Sequence, residues 1–343
     1  RVIQEAQKTE ARLDLANRLV GGLGDENERW ATSVQGLSDQ ESTLVGDVLL
    51  AAAFVSYIGA FTINFRVELV NEQWIPDLLG REIPLTDGID TLSVLTSDSV
   101  VAGWANEGLP ADRLSIENGA IITSCVRWPL IIDPQLQGLN WLKNRESANN
   151  LRVIQMRGNY LEHLEHCIQT GEPVVLENIG EEIDAVLEPL LSRSTIRKGR
   201  TVFVKLGDKE VEFDKNFRLY LQTKMANPHY RPEIAAQTTL VNFTVTEGGL
   251  EDQLLAVVVN KERPELEEQR TQLMRQQNEF RIKIKELEDA LLYRLSNATG
   301  DILGDTALIE GLEATKKTSK EIGETLVKSK ETEKEINISR ETY

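Results

Sequence analysis

The pattern of hydrophobic and polar positions divides the chain into three parts: a helical one, one in which strands and helices alternate, and a second helical one. Leucines at helical spacing lead to Gly21-Gly22, where a first helix is predicted to end. A second helix is predicted over 27–37. A third, over 43–71, is apolar on most faces and is therefore predicted to be buried. Residues 72–120 hold prolines and glycines, which are typical of loops.

Apolar runs alternate with helical patterns between residues 120 and 246. The runs lie at 121–122 and 128–132, and further strands are predicted at 151–156, 173–176, 217–223 and 239–245. The helices between them are predicted at 135–145, 159–169, 183–191 and 232–237. Two more strands flank Gly207-Asp208, which is typical of a hairpin with a type I′ turn. Continuously apolar strands in β-α units predict an α/β fold with a parallel sheet covered on both faces.

The last hundred residues return to a helical period. A helix is predicted over 250–260, and a long one begins at Pro264, a residue favoured in the first turn. Apolar residues then repeat every seventh position, which predicts a coiled-coil seam: Leu266, Leu273, Phe280 and Leu287. After a break at 298–305, a polar second arm over 307–343 keeps a 3-4 spacing. Its partner is either the first arm or a segment beyond residue 343.

Length and charge narrow the class of protein. The 343 residues are too many for one ordinary domain and predict one large domain with extensions. A net charge of −17 makes nucleic acid and anionic membranes poor partners. The longest apolar run, 48–63, is interrupted by polar residues and too short to span a bilayer. The chain opens and closes in helical patterns without an initiator Met, so we expect a piece of a longer protein.

Cysteine and histidine give no pattern of catalysis or metal binding. Cys125 and Cys167 lie far apart in apolar contexts, as expected of buried free thiols in a reducing compartment. His163 and His166 are three residues apart on one predicted helix, but no third ligand accompanies them. We therefore expect no metal site.

Residues 130–140 have the layout of a phosphate-binding loop without its chemistry. A working loop reads G-x-x-x-x-G-K-[ST]: backbone N–H groups and a lysine hold the phosphates, and a hydroxyl binds Mg²⁺. Gly138 keeps the second glycine, but Asp133, followed by Pro134, places an anion at the first. Leu139 replaces the lysine and Asn140 replaces the hydroxyl. The pattern indicates an ATPase fold kept for a structural or force-transmitting role.

The other positions that an ATPase of this layout requires are also altered. An acidic pair should end a later strand, to organise Mg²⁺ and polarise water. Here Glu177 remains, but Asn178 takes the second position. Thr223 or Asn227 is a candidate polar sensor. Just before the last strand, Gln237 stands where an arginine finger would be offered to a neighbouring subunit, and it has no cationic charge.

Several motifs resemble the fifth AAA+ module of dynein heavy chains, in the same order over most of the chain. They are 127–138 (RWPLIIDPQLQG), 46–50 (GDVLL), 109–115 (LPADRLS), 227–230 (NPHY) and 241–246 (VNFTVT). The segments 205–212 (KLGDKEVE) and 254–266 (LLAVVVNKERPEL) are more similar to axonemal outer-arm heavy chains of the β type than to cytoplasmic dynein.

The resemblance implies a ring of six AAA+ modules in one heavy chain, an ATP-driven microtubule motor of cilia and flagella. Residues 1–40 would be the end of the stalk helix and the small helical part of the fourth module. Residues 41–246 would be the large α/β part of the fifth module. Residues 247–343 would be its small helical part with the buttress, or strut, which props the stalk.

In this family the fifth module is not expected to bind nucleotide, and ATP and Mg²⁺ would belong to other modules. Implied partners are the stalk, the neighbouring modules, microtubules, and intermediate and light chains through the parent protein. The implied location is the cytoskeleton, in the axoneme of a cilium or flagellum. Cytoplasmic members tend to have an arginine near Gln237, so its absence puts help to hydrolysis at the fourth module in doubt.

Two functional hypotheses follow from these residues. In the first, the module is mechanical: ring closure moves it, and the buttress then changes the helix register of the stalk. In the second, the module holds ADP or ATP as a structural ligand without turnover, because Gly138 and the following helix still offer N–H groups to an anion. Asp133 opposes the second hypothesis, since its charge would lie beside a phosphate.

Overall fold

The computed structural model describes residues 30–297 throughout, together with 10, 13, 16, 17, 20, 24, 27, 317, 318, 320–323 and 325. The chain separates into two compact units. The α/β unit consists of Leu44–Ser97 and Trp104–Glu251. The helical unit contains the other described residues. The predicted boundaries at 40 and 246 stay a prediction.

A five-stranded parallel sheet forms the centre of the α/β unit. Its strands are β1 (Trp128–Ile132), β2 (Arg152–Gln155), β3 (Val174–Glu177), β7 (Leu219–Thr223) and β8 (Thr238–Asn242). Their order is β2-β3-β7-β1-β8, and all neighbouring pairs are parallel. Every residue of β1 and β7 is buried, as expected of strands covered on both faces. The structure thus confirms the predicted α/β fold.

A second, antiparallel sheet has the order β4-β5-β6 and contains the predicted hairpin. Its strands are β4 (Thr195–Lys198), β5 (Thr201–Leu206) and β6 (Lys209–Glu212). The predicted type I′ turn is wrong, because that type needs a positive φ at both central residues. Gly207 has a φ of 59° but Asp208 has a negative φ, which is the pattern of a type II′ turn. The strand β4 was not predicted, because all of its residues are exposed and show no apolar alternation.

Helices surround the main sheet and make up the helical unit. Their bounds are α1 (Trp30–Glu41), α2 (Leu44–Tyr57), α3 (Ile63–Val67), α4 (Ile75–Gly80), α5 (Thr91–Leu95), α6 (Asp98–Asn106), α7 (Arg113–Ser124), α8 (Gln137–Arg145), α9 (Tyr160–Thr170), α10 (Glu188–Leu191), α11 (Pro232–Gln237), α12 (Glu247–Glu262) and α13 (Pro264–Ser296). A π-helical turn, Glu68–Trp74, joins α3 to α4. No single helix of the described residues is long and apolar enough to cross a membrane. The segments Trp30–Glu41 and Leu44–Ala60 reach that length and hydropathy only when they are taken together.

The single helix predicted over 43–71 is interrupted after Tyr57. A 3-10 turn, Ile58–Ala60, and an extended Phe61 separate α2 from α3. The cause is close packing on the last strand, because a Cβ on Gly59 would lie 2.3 Å from the backbone oxygen of Leu240. The chain must therefore turn at a residue without a side chain.

The apolar pair Ile121-Ile122 belongs to α7, not to a strand. Both side chains are buried, and Asp112 caps the helix by accepting a hydrogen bond from the Ser115 N–H at 3.0 Å. A short apolar run is common to buried helices and buried strands, so its period did not separate the two. The region 72–120 accordingly holds more helix than predicted.

The helical unit contains α13, whose burial pattern agrees with the predicted seam. Leu273, Phe280 and Leu287 are half-buried and Leu291 is buried, while most residues between them are exposed. Residue 322, an isoleucine of the second arm, is also buried. The side chain of Leu266, the break at 298–305, most of the second arm and Gly21-Gly22 lie outside what the structure describes.

Candidate functional site

The candidate site lies at the carboxyl edge of the parallel sheet. β1 ends before Asp133, β3 ends at Glu177, and β7 ends at Thr223. Because the strands are parallel and in register, these ends lie side by side, with Ile132 paired to Thr223. This edge is where open α/β sheets bind ligands.

The carboxylate of Asp133 occupies the amino terminus of α8. Its Oδ1 accepts a hydrogen bond from the N–H of Gln137 and its Oδ2 accepts one from the N–H of Leu139, both at 2.9 Å. Leu136 enters the helix with a left-handed φ of 61°, and its N–H bonds the Asp133 carbonyl at 3.3 Å. A phosphate-binding loop offers such helix N–H groups to its ligand. Here a side chain of the loop itself takes them.

Asp133 has no exposed surface. This burial raises the pKa of its carboxyl above the ordinary value, and the N–H groups of Leu139 and Gln137 oppose that rise. The group is therefore costly to bury but well bonded. Its removal would leave two N–H groups without their acceptor.

The remaining loop positions form part of the core or the surface. Gly138 is buried against the ring of Phe243, and an added Cβ would lie 3.2 Å from that ring. Leu139 is 1% exposed, so its side chain points into the core. Asn140 is exposed and Pro134 is half-buried. None of the five loop positions presents a cationic or hydroxyl group for a phosphate or its metal.

Gln222 ties the loop to the end of β3. It is fully buried, its Nε2 donates to the Asp133 carbonyl at 3.1 Å, and its Oε1 accepts from the Asn178 N–H at 2.9 Å. Its backbone oxygen also accepts from the Ile179 N–H at 2.9 Å. We did not single out this residue from the sequence, although an amide within a fully buried strand is an indication of a buried hydrogen-bond network.

The two positions predicted for an acidic pair hold one carboxylate, Glu177, and one amide, Asn178. Glu177 is half-buried, with Lys224 Nζ 3.6 Å from its Oε1. Asn178 is exposed and takes a left-handed φ of 55°. Of the two sensor candidates, Thr223 is buried and donates to the Ile179 carbonyl at 2.9 Å, whereas Asn227 is exposed. Thr223 thus belongs to the site's hydrogen-bond network.

Comparison with known proteins decides the family. A family model described as "ATP-binding dynein motor region" matches residues 102–322, and one described as "Microtubule-binding stalk of dynein motor" matches residues 1–78. The chain belongs to the dynein heavy chains. This confirms the resemblance seen in the sequence motifs.

Relatives match over nearly the whole chain. The dynein alpha chain of the flagellar outer arm of Chlamydomonas reinhardtii is 56% identical over 99% of this chain, and so is the ciliary dynein beta chain of Heliocidaris crassispina. The flagellar outer-arm beta chain of Chlamydomonas reinhardtii is 53% identical over 99%. The chain spans about 8% of the length of these relatives. Alpha and beta chains match equally well, so the narrower assignment to the β type stays a prediction.

In this dynein segment, Gln237 does not join the candidate site. It ends α11 and is half-buried. The next residue, Thr238, pairs with Trp128, the first residue of β1. Gln237 therefore lies at the amino edge of the sheet, opposite Asp133. Its place as a lost arginine finger stays a prediction.

The thiols and imidazoles of the segment form no reactive cluster. Cys125 and Cys167 are free, and burial raises the pKa of each thiol to about 11. Within the part of the chain that the structure describes, no three His, Cys, Asp or Glu residues are placed to hold a metal ion. The site's notable chemistry is thus the buried carboxylate of Asp133.

Proposed function

We propose that the α/β unit is a degenerate AAA+ module of an axonemal dynein motor, which neither binds nor hydrolyses ATP. In this proposal the module moves as the ring rearranges, and a helical buttress that includes α13 passes the movement to the microtubule-binding stalk. The observation that carries the first part is the Asp133 carboxylate, bonded to both N–H groups where a phosphate would bind.

A phosphate at the amino terminus of α8 would compete with a covalently attached anion. It would have to displace two hydrogen bonds of 2.9 Å and approach a carboxylate without exposed surface. Two unit charges 4 Å apart repel by about 4 kcal/mol at an effective dielectric constant of 20. That repulsion alone weakens binding by roughly a thousandfold.

The residues around the carboxylate also lack the means of catalysis. Leu139 holds an apolar side chain in the core at the lysine position, and Asn178 cannot act as a carboxylate base. Glu177 is engaged by Lys224. The unit keeps the sheet and the loop of an ATPase while its own side chains fill the ligand position.

The parent protein gives this module its setting. We propose that the stalk and neighbouring AAA+ modules are its partners within the heavy chain. Microtubules, and intermediate and light chains, would be partners of the parent protein in the axoneme of a cilium or flagellum. The relatives are named for flagellar, ciliary or axonemal dyneins, which supports that location.

Calorimetric titration with Mg·ATP and Mg·ADP tests the nucleotide proposal. We expect no saturable binding by the native chain at the loop. A triple variant, Asp133→Gly with Leu139→Lys and Asn140→Thr, restores the loop pattern, and we expect it to gain binding. The double variant Leu139→Lys with Asn140→Thr, which retains Asp133, is the matched control and should not bind nucleotide at the loop.

Two results would contradict this reasoning. Micromolar binding of Mg·ATP or Mg·ADP by the native chain that persists when Arg193 and Arg218, which lie away from the loop, are replaced by glutamine would favour the alternative, a module holding ADP or ATP at the loop without turnover. Equal gain in the double and triple variants would show that the carboxylate is not the obstacle.

The mechanical half is tested in the parent heavy chain. Charge-neutral substitutions along 308–336 should uncouple ATP turnover from microtubule affinity, because they alter the proposed buttress and leave the hydrolysing modules intact. Microtubule-stimulated ATPase activity and co-sedimentation are measured together. Unchanged coupling would exclude a role of this arm.

A further inference from the structure

A basic cavity lies at the amino edge of the main sheet, on the side opposite Asp133. Its volume is about 660 Å³, within the usual range of small-molecule sites. Trp128 begins β1, Pro173 precedes β3 and Arg218 precedes β7, and all three line it. The cavity belongs wholly to the α/β unit.

Cations outnumber carboxylates around this cavity, although the chain as a whole has a net charge of −17. The cationic lining residues are Arg127, Arg145, Arg193, Lys215 and Arg218, and the carboxylates are Glu146 and Glu172. Both carboxylates have partners of their own. Glu146 accepts from the Tyr220 hydroxyl at 2.8 Å, and Glu172 accepts from Arg152 Nε at 3.0 Å.

In the part of the chain that the structure describes, three of the cations have neither a carboxylate nor a hydrogen-bond partner, whereas Arg127 donates to the Ala236 carbonyl at 3.1 Å. Among the described residues, Arg193, Lys215 and Arg218 make no salt bridge, whereas Arg145 pairs with Glu107 at 3.1 Å. The Arg193 guanidinium lies over the Trp128 ring, 3.7 Å from its centroid, which holds it in place by a cation–π contact. An ordered cation loses little further freedom when it binds an anion.

Arg193 and Arg218 line the same cavity, where both side chains are partly open to solvent. The pKa of Arg193 is lowered, first by burial and also by the nearby charge of Arg218. An anion that contacts both guanidinium groups would reduce this repulsion. Guanidinium groups suit phosphate in particular, since their N–H donors match its oxygens in pairs.

We propose that this cavity binds a small molecule carrying phosphate groups, held by Arg193, Lys215 and Arg218. This proposal does not depend on the proposed function, because the cavity and the loop are at opposite edges of the sheet. Any nucleotide that binds here binds away from Asp133. The two sites are thus separable by mutation.

Titration calorimetry of the 343-residue chain with tripolyphosphate tests the proposal. We expect saturable binding, weakened by higher salt as ionic screening increases. The variant Arg193→Gln with Arg218→Gln should bind roughly tenfold more weakly or worse. A matched control, Arg197→Gln with Arg200→Gln, removes two exposed cations outside the cavity and should bind as the native chain does.

Further arms separate the possible outcomes. Asp133→Asn, which keeps a side chain on the amino terminus of α8, should leave tripolyphosphate binding unchanged, and equal melting temperatures will show that the arginine variants are folded. No binding by the native chain, or equal weakening in the cavity and control variants, would overturn the proposal. Binding of an eight-residue polyglutamate peptide without binding of tripolyphosphate would overturn it in favour of an acidic protein segment.

Discussion

Replacing Asp133 by alanine tests whether its carboxylate stabilises the loop before α8. The substitution removes the acceptor of two hydrogen bonds, from the N–H groups of Gln137 and Leu139, each 2.9 Å long. The hydrogen bond from Gln222 Nε2 is kept, because its acceptor is the backbone carbonyl oxygen of residue 133. The expected change therefore comes from the amino terminus of α8.

The structure sets the magnitude of the loss. Each buried N–H that loses its partner costs about 1–3 kcal/mol, which gives roughly 2–6 kcal/mol for two. Two effects reduce this sum. The carboxyl was itself costly to bury, as its raised pKa indicates, and water can enter the space that it leaves. We expect a net loss of about 2–4 kcal/mol in the free energy of unfolding.

Urea unfolding and thermal melting measure this loss. Asp112→Ala is the matched control, because that carboxylate caps α7 through one N–H and is only half-buried, so its removal should cost about 1 kcal/mol. Formate, at constant ionic strength, should restore stability to Asp133→Ala more than to the native chain, since it can occupy the vacated anion position. An Asp133→Ala loss no larger than that of the control, without formate rescue, would refute the capping role.

Other predictions concern buried charge, close packing and pH. Glu117→Gln should cost about 3–5 kcal/mol in urea unfolding, because it leaves the charge of Arg66, which is 2% exposed, without its carboxylate; a loss below 1 kcal/mol would contradict this. Gly59→Ala should lower the melting temperature strongly, since the new Cβ would lie 2.3 Å from a backbone oxygen of β8, whereas Gly103→Ala, with open space around it, should be neutral or stabilising. Asp133→Asn should become more stable relative to the native chain as pH rises from about 4. The pKa of the Asp133 carboxyl is higher in the folded than in the unfolded chain, so its ionisation lowers the free energy of unfolding of the native protein and not of the variant. A stability difference in urea unfolding that does not change with pH would contradict this.

The sheet could be predicted from the sequence because burial on both faces imposes its own composition. The three central strands β1, β3 and β7 are apolar runs that are buried almost throughout, so their length and composition locate them, whereas β2 is mostly exposed and holds only two apolar residues. The same reasoning missed β4, whose side chains all face solvent, and it misassigned Ile121-Ile122, where a buried helix resembles a buried strand. Pattern recovers an element only where packing restricts which residues it can contain.

The site shows the same division more sharply. The motif places an acid at residue 133, and its sequence position indicates an anion near the phosphate position. Whether that carboxylate faces the helix N–H groups depends on the left-handed turn at Leu136, a conformation that residues other than glycine rarely adopt and that no sequence pattern marks here. Gln222 is a long-range counterpart, since its two partners lie 89 and 44 residues away along the chain. The absence of the loop's lysine and hydroxyl is therefore readable from the residue types, while the position of the Asp133 carboxylate on the helix N–H groups is a property of the folded backbone.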